Sequence, residues 1–500
     1  MKRIFSLLYI ITVVTSCSDI TDQNVDPKKP TITKAEYLFT NAQKKVVDQM
    51  VSTSVNYNVF RMFVQQWTAT TYPNESQYDI TGRKIPDQHF SVLYRDVLMD
   101  LKASRELIVP EIAVSASEIA IKQNKLALIE VFECYSYSVL VDTFGDVPYT
   151  QALNIKKYPL PAYDDAKTIY KDLIKRFAAA AVILKANTQD PNFGRADLVY
   201  NGDAASNAKW AKFANSMIVR LAVNISDVDQ AYAATQIQAA LVSGVLGSNA
   251  DNTKLNYLAT AGNQNPLFAD LVTSKRDDFI PAEPFVAAMD AIGGDKRMDK
   301  YFVNATKPVP VIPAGRSYVG GTYGEANVFG SYSHITGTLN NPVFPGTLFD
   351  YAELQFLLAE AAEKKLVPGG TAQAEIYYNA GIDASYADWG LTQADANKYK
   401  LLPKVAYTNT ASGATWQEKI GMQSWFALYN RGFEAWTSYR RLDYPKLLPS
   451  NTSKNRGFLT VPVRYTYPGV EQFQNGTSYT KATAAIGGDL MTTKVFWDKN

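Results

Sequence analysis

The chain has 500 residues, with 50 Lys and Arg against 48 Asp and Glu (net charge +2), and is 46% hydrophobic and 20% charged. That balance excludes an intrinsically disordered protein and, without a basic excess, a nucleic-acid binder. Two His and two Cys are too few for a multi-histidine or cysteine-rich metal site, and no cofactor is expected. Tyr numbers 31 and Phe 23, so part of the aromatic content is expected to meet water as well as core.

In chain order, Lys2 and Arg3 precede an apolar run from Ile4 to Val14. The run is too short to span a hydrocarbon core and suits the central region of a signal peptide. It ends in Val14-Thr15-Ser16-Cys17, a loose form of the site at which a lipoprotein signal peptidase cuts. Residues 1–16 therefore read as a lipoprotein signal, with Cys17 as the lipidation site; the alternative is an ordinary secretory signal with a coincidental Cys. Loss of Lys2 and Arg3 would leave 48 basic side chains against 48 acidic ones. Cys134 would then be the only free thiol, so no intramolecular disulfide is expected. Its apolar helical surroundings make it a small buried hydrophobe rather than a nucleophile. Multiple acyl chains would anchor the protein durably to a membrane. Residues 17–30 form the lipidated start and a polar, proline-containing tether. The tether reaches about 20 Å, or about 45 Å when stretched.

The body, residues 31–500, has no further stretch apolar and long enough for a membrane helix. Its first strong stripe is Leu128, Phe132, Tyr135 and Val139. Ile169, Leu173, Phe177, Ala180 and Leu184 follow the break at Pro159 to Pro161, with Asp164 as the expected N-cap. A helix from about Asp203 carries Trp210, Phe213, Met217 and Leu221, and another from Ala231 to Val242 stops at Gly244. Tyr351, Leu354, Leu358 and Ala361 form a stripe ending at Pro368-Gly369-Gly370, and a partner helix, Ala372 to Ala387, follows. Ala359, Ala361, Ala362, Ala380 and Ala384 would let these two helices pack closely. Trp416 to Tyr429 and Phe433 to Arg441 are separated by Gly432. Helix pairs of this size suggest tetratricopeptide-like units; an irregular helical domain without true repeats is the alternative.

Two regions break the helical rhythm. Tyr57 to Ile80 is rich in Gln, Thr, Tyr and Asn, and Lys307 to Gly346 is dense in Gly, Pro and Tyr. Long irregular segments of this kind are usually functional or disordered, and the aromatics argue against disorder. Sugar rings present flat patches of C–H bonds flanked by hydroxyls, so a glycan platform needs exposed aromatic faces beside amides and carboxylates. Trp67, Tyr72, Asn74, Glu75, Gln77 and Tyr78 offer that mixture in the first region; Tyr318, Tyr323, Tyr332 and His334 offer it in the second. Burial under a loop is the competing reading for each residue. His334 is not expected to ligate a metal, since only His89 could join it. From Phe458 onward the chain reads as short extended segments.

Several blocks in fixed order resemble one family, the SusD/RagB-like outer-membrane nutrient-binding lipoproteins of Bacteroidetes. They are Asn24-Val25-Asp26-Pro27, Gln65-Gln66-Trp67 with Tyr72-Pro73, Phe144-Gly145-Asp146-Val147-Pro148-Tyr149, and Lys209-Trp210 with Phe213-Ala214-Asn215-Ser216. Tyr351-Ala352-Glu353 with Leu358-Ala359-Glu360-Ala361, and Gly432 to Arg441 with Tyr444-Pro445, complete the set. The resemblance implies a mainly α fold, a SusD-like superhelix of four tetratricopeptide-like helix pairs with an irregular loop-rich lobe and few short strands. It further implies a non-catalytic surface lipoprotein that binds an oligosaccharide or peptide and serves a SusC-like TonB-dependent β-barrel transporter. Read from the residues alone, Gly145-Asp146 is a structural turn, and the Lys209-Trp210 and Trp436-Tyr439 groups are core. The rival classes are a surface glycoside hydrolase and a helical-repeat scaffold for protein partners. The hydrolase would need two carboxylates about 5–10 Å apart across a cleft, and no local signature singles out such a pair. Motifs of zinc, serine-hydrolase or P-loop chemistry are absent.

Overall fold

A computed structural model describes residues 33–305 and 318–499. The leader, Cys17, the tether and residues 306–317 of the second irregular region lie outside the described residues, as does the Asn24 to Pro27 block.

The helical stripes fold as helices, and side-chain caps set most of their starts. Helix α1, Ala35–Val51, lies against α2, Met99–Ile108. Helix α3, Ala116–Phe144, begins with Ser115 and Glu118 bonding reciprocally to each other's backbone N–H groups, which satisfies two otherwise orphaned donors. It ends at Gly145, whose φ of 85° and N–H bond to Val141 O close the last turn. Asp165, not Asp164, caps α4, Ala166–Ala186, accepting from Thr168 N at 2.7 Å. The carboxylate of Asp164 instead accepts from Tyr149 N and Thr150 N, at 2.9 and 2.8 Å. That residue pairs with Val147 in a two-residue ladder of β2, Val147–Pro148, and β3, Tyr163–Asp164; β1 is Trp67–Ala69.

Asp203 caps α5, Ala204–Ile225, which packs on α4 and on α6, Gln230–Ser243. Helix α7, Tyr351–Glu363, pairs with α8, Gly370–Asp388. Their closest approach is set less by alanines than by Gly381, where an added Cβ would lie 2.9 Å from the Phe356 ring. Helices α9, Trp416–Ala427, and α10, Gly432–Leu442, complete this side. Four packed helix pairs thus follow one another (α1–α2, α3–α4, α5–α6, α7–α8), and the structure is mainly α. Trp210, Trp436 and Cys134 are buried.

The remaining strands are short: β4 Thr253–Leu255, β5 Phe279–Pro281, β6 Phe302–Val303, β7 His334–Ile335 and β8 Gly346–Phe349. All pair antiparallel in twos: β1 with β5, β4 with β8, and β6 with β7. The C-terminal part departs from the extended reading. Helices Gly469–Gln474 and Gly476–Ala485 occupy much of it. Residues around Tyr465 lie outside any helix, but they dock on α3 through Tyr465 N to Thr143 O at 3.0 Å and Arg464 Nη1 to Phe144 O at 2.9 Å, rather than joining a ladder.

Charge is buried where α5, α7 and α10 meet. Arg220 Nε lies 2.6 Å from Glu353, and Arg431 bridges Glu353 and Asp350 at 2.6 and 2.7 Å. Two turns of α7 further on, Glu360 takes Arg441 and Lys364 at 2.7 and 3.0 Å. Glu353 and Glu360 therefore act as cross-braces within the helical stack. Each has its cations in place, as burial of a carboxylate requires.

Candidate ligand-binding site

Three irregular segments converge where β1 pairs with β5. Trp67 faces Pro281, Thr68 faces Ile280 and Ala69 faces Phe279. Thr70 N extends the ladder to Asp278 O at 2.9 Å, and Ala282 bridges Gly321. Asn327 locks the third segment on: its N donates to Thr70 O at 2.7 Å, and its amide bonds Ala69 O, Thr322 O and Glu325 O. Main-chain groups and the Asn327 amide carry this joint, so its geometry tolerates variable side chains above it.

The joint carries a ledge with two recesses, of about 210 and 350 Å³, which share Arg276, Asp278 and Phe279. The first recess is edged by Tyr72 and Arg83, with Glu75 and Asp270 deeper in. The second is edged by Phe329 and His334. Arg276 forms a two-bond pair with Asp278, its Nε at 2.6 Å, and its guanidinium lies 5.9 Å from the centre of the Tyr72 ring. Phe329 and His334 stack with centroids 4.0 Å apart, and His334 Nε2 lies 3.1 Å from Phe329 O. Strand pairing of His334 with Val303 holds that stack in place.

The acidic groups in the recess are each held. Burial raises the Glu75 carboxyl above its usual range although Arg83 forms an ion pair with it. Burial likewise raises Asp270, which accepts from Ser52 Oγ and Thr53 N at 3.0 and 3.1 Å. Asp278 is the Arg276 partner. The ledge thus offers one exposed ring, one stacked pair, a guanidinium and carboxylates, a surface suited to hydrogen-bonding a hydroxyl-rich ligand along a flat face.

The sequence-derived candidates divide. Tyr72 is 54% exposed and edges the first recess; Asn74 is half-buried beside it. Trp67, Tyr78 and Tyr323 are 0%, 0% and 6% exposed, which corrects their expected role as ligand-facing rings. They are pillars under the ledge: Trp67 Nε1 donates to Tyr429 Oη at 3.0 Å, Tyr323 Oη donates to Met62 O at 2.7 Å, and Gln65 Nε2 donates to Tyr78 Oη at 3.2 Å. Glu75 and Gln77 are also buried, the latter donating to Gly324 O at 2.7 Å. Tyr318 and Tyr332 are half-buried and line neither recess; Tyr318 Oη donates to Asp299 at 2.9 Å. Sequence reasoning missed Arg276 and Asp278. Their signal was the charged run Lys275-Arg276-Asp277-Asp278 immediately before a strand.

Comparison with known proteins gives one consistent result. A SusD-like family described as "Starch-binding associating with outer membrane" matches residues 27–468. No curated protein is similar enough in sequence to add to it. A solved chitin-binding protein superposes with a TM-score of 0.78 at 26% identity, covering 93% of this chain and 100% of its own. A SusD homolog from Bacteroides uniformis gives 0.74 at 26% identity over 93% and 100%. A chitin-binding SusD homolog from Flavobacterium johnsoniae gives 0.75 at 22% identity over 92% and 99%, a likeness of fold. With the helix pairs, the loop lobe and a family match over most of its length, the chain belongs to the SusD-like family.

Proposed function

We propose that this protein is a non-catalytic, lipid-anchored outer-membrane receptor that binds an oligosaccharide on the ledge and passes it to a TonB-dependent β-barrel transporter. The observation that carries the binding half is the ledge itself: exposed Tyr72 beside the Arg276–Asp278 pair and the Phe329–His334 stack. Family membership and the chitin-binding relatives support a glycan over a peptide. The carboxylates favour binding over hydrolysis, since Glu75, Asp270 and Asp278 are each occupied by a cation or donors rather than paired across a cleft. Delivery requires that ligand favour the closed arrangement of receptor on transporter over the open one; equal affinity for both would drive nothing inward. Among the described residues no helix is long and apolar enough to cross a membrane, which accords with attachment through acyl chains at Cys17.

Calorimetry with chitin and starch oligosaccharides tests the ledge. Binding by the wild type that falls at least about tenfold in Tyr72→Ala and in Arg276→Ala supports it; unchanged affinity in both removes it. Incubation with the same glycans should leave them intact, and product formation would replace the receptor reading with a hydrolase. Purification from outer membrane should bring down a large β-barrel.

A further inference from the structure

A second cavity, of about 370 Å³, lies apart from the ledge between β4, β8 and the α7, α8 and α10 side of the molecule. Trp389 and Phe344 form its wall, with ring centroids 6.2 Å apart. Asp350, Arg431 and Glu434 contribute to its lining from the buried side, and the Lys254–Asp388 pair, 2.5 Å apart, and Lys300 contribute from the outer side.

The buried part contains polar atoms without partners. Arg431 is 9% exposed and Glu434 is 7% exposed. Arg431 uses Nη2 on Glu353, but its Nε meets no acceptor. Glu434 Oε1 accepts no hydrogen bond; Arg431 Nη2 and Arg220 Nη2 stand off at 3.6 and 3.9 Å. A buried donor and a buried acceptor left open side by side are destabilising unless something that can both give and take a hydrogen bond comes between them. A hydroxyl does this. The lining sets Asp350, Asp388 and Glu434 against Lys254, Lys300 and Arg431, so neither a ligand carboxylate nor an ammonium finds an excess of opposite charge there. The wall supplies what the polar lining does not, flat apolar surface for a C–H face. The volume lies in the range of about 300–1,000 Å³ usual for small-ligand sites.

We propose that this cavity is a second saccharide-sized site, which takes one neutral polyhydroxylated ring with its hydroxyls toward Arg431 and Glu434 and its C–H face on Trp389. It stands independently of the ledge, since the two share no lining residue.

The test titrates the folded protein calorimetrically with free glucose, galactose and N-acetylglucosamine into the tens of millimolar. Wild type, Trp389→Ala, Thr338→Trp and Tyr72→Ala are compared. Thr338 is exposed at the cavity edge, so Thr338→Trp obstructs entry without touching the core and serves if Trp389→Ala unfolds. The expected result is saturable binding of at least one sugar, weakened about tenfold or more by Trp389→Ala or Thr338→Trp and unchanged by Tyr72→Ala. No saturable binding of any of the three, or binding that only Tyr72→Ala removes, overturns the proposal.

Discussion

The helical stack and the loop lobe are fixed by different currencies of interaction, and the contrast explains where each can vary. Between α5, α7 and α10 the chain buries side-chain charge: Arg220, Arg431, Asp350 and Glu353 are linked at 2.6 to 2.7 Å. Each member is needed, because removing one leaves another charged in a dry interior. The lobe is instead stitched by main chain: Thr70 to Asp278, Asn327 to Thr70, Gly321 to Pro281. Side chains facing out from that joint, such as Tyr72 and Arg276, carry little of its stability. The stack is thus a fixed frame, and the ledge is a surface on which ligand preference can change without refolding the frame.

The sharpest way to break this contrast is Arg431→Ala. It strips Asp350 and Glu353 of a shared cation and should cost about 3–5 kcal/mol, read by chemical denaturation. A loss below about 1 kcal/mol would mean that the grid behaves like surface charge. Next comes acid. His89 is buried against Phe60 and Phe144, and burial pulls its pKa down to about 3. The unfolded chain takes up a proton near pH 6.5 that the folded chain refuses, so His89 withdraws stability as pH falls from about 6.5 toward 3. Asp146 and Asp498, raised by burial to about 6, act in the opposite sense, stabilising the fold as pH falls through that value. Subtracting a His89→Gln variant isolates the histidine: the stability difference should shift in the variant's favour by about 1.4 kcal/mol per pH unit below pH 6. A flat difference would mean that His89 is protonated in the fold.

In the lobe, Gly324→Ala should cost about 1–3 kcal/mol, because φ there is 75° and a Cβ would lie 2.4 Å from Ser450 Oγ. It should also weaken ligand, since Gln77 holds that turn from below. Tyr323→Phe, which leaves Met62 O with only its backbone bond from Gln65 N, should cost about 1 kcal/mol and leave ligand affinity close to wild type. The smallest effect belongs to Tyr72→Ala: stability within about 0.5 kcal/mol, with oligosaccharide affinity lost. If Tyr72→Ala unfolds the protein, the separation between frame and surface fails.

How far the sequence could be read follows from the same division. Stripes such as Ile169 to Leu184 gave the helices because a 3.6-residue period is a local property, and Gly145 and Gly244 marked their ends for the same reason. The cap assignment slipped by one residue, to Asp165, because two adjacent aspartates are equivalent until strand pairing engages the first. Trp67, Tyr78 and Tyr323 read as ligand-facing rings because irregular, polar neighbours surround them. What buries them comes from afar: Tyr429 is 362 positions from Trp67 and Met62 is 261 from Tyr323.

The sequence by itself determined three of the four helix pairs (α3–α4, α5–α6 and α7–α8, but not α1–α2), the buried Cys134 and the family, since these rest on periodicity, composition and ordered local blocks. Which aromatic rings face water, the Arg276–Asp278 centre of the ledge, and the cavity beneath Trp389 were decided only by tertiary structure. Each depends on segments hundreds of residues apart meeting at fixed distances, and no one-dimensional pattern encodes a distance.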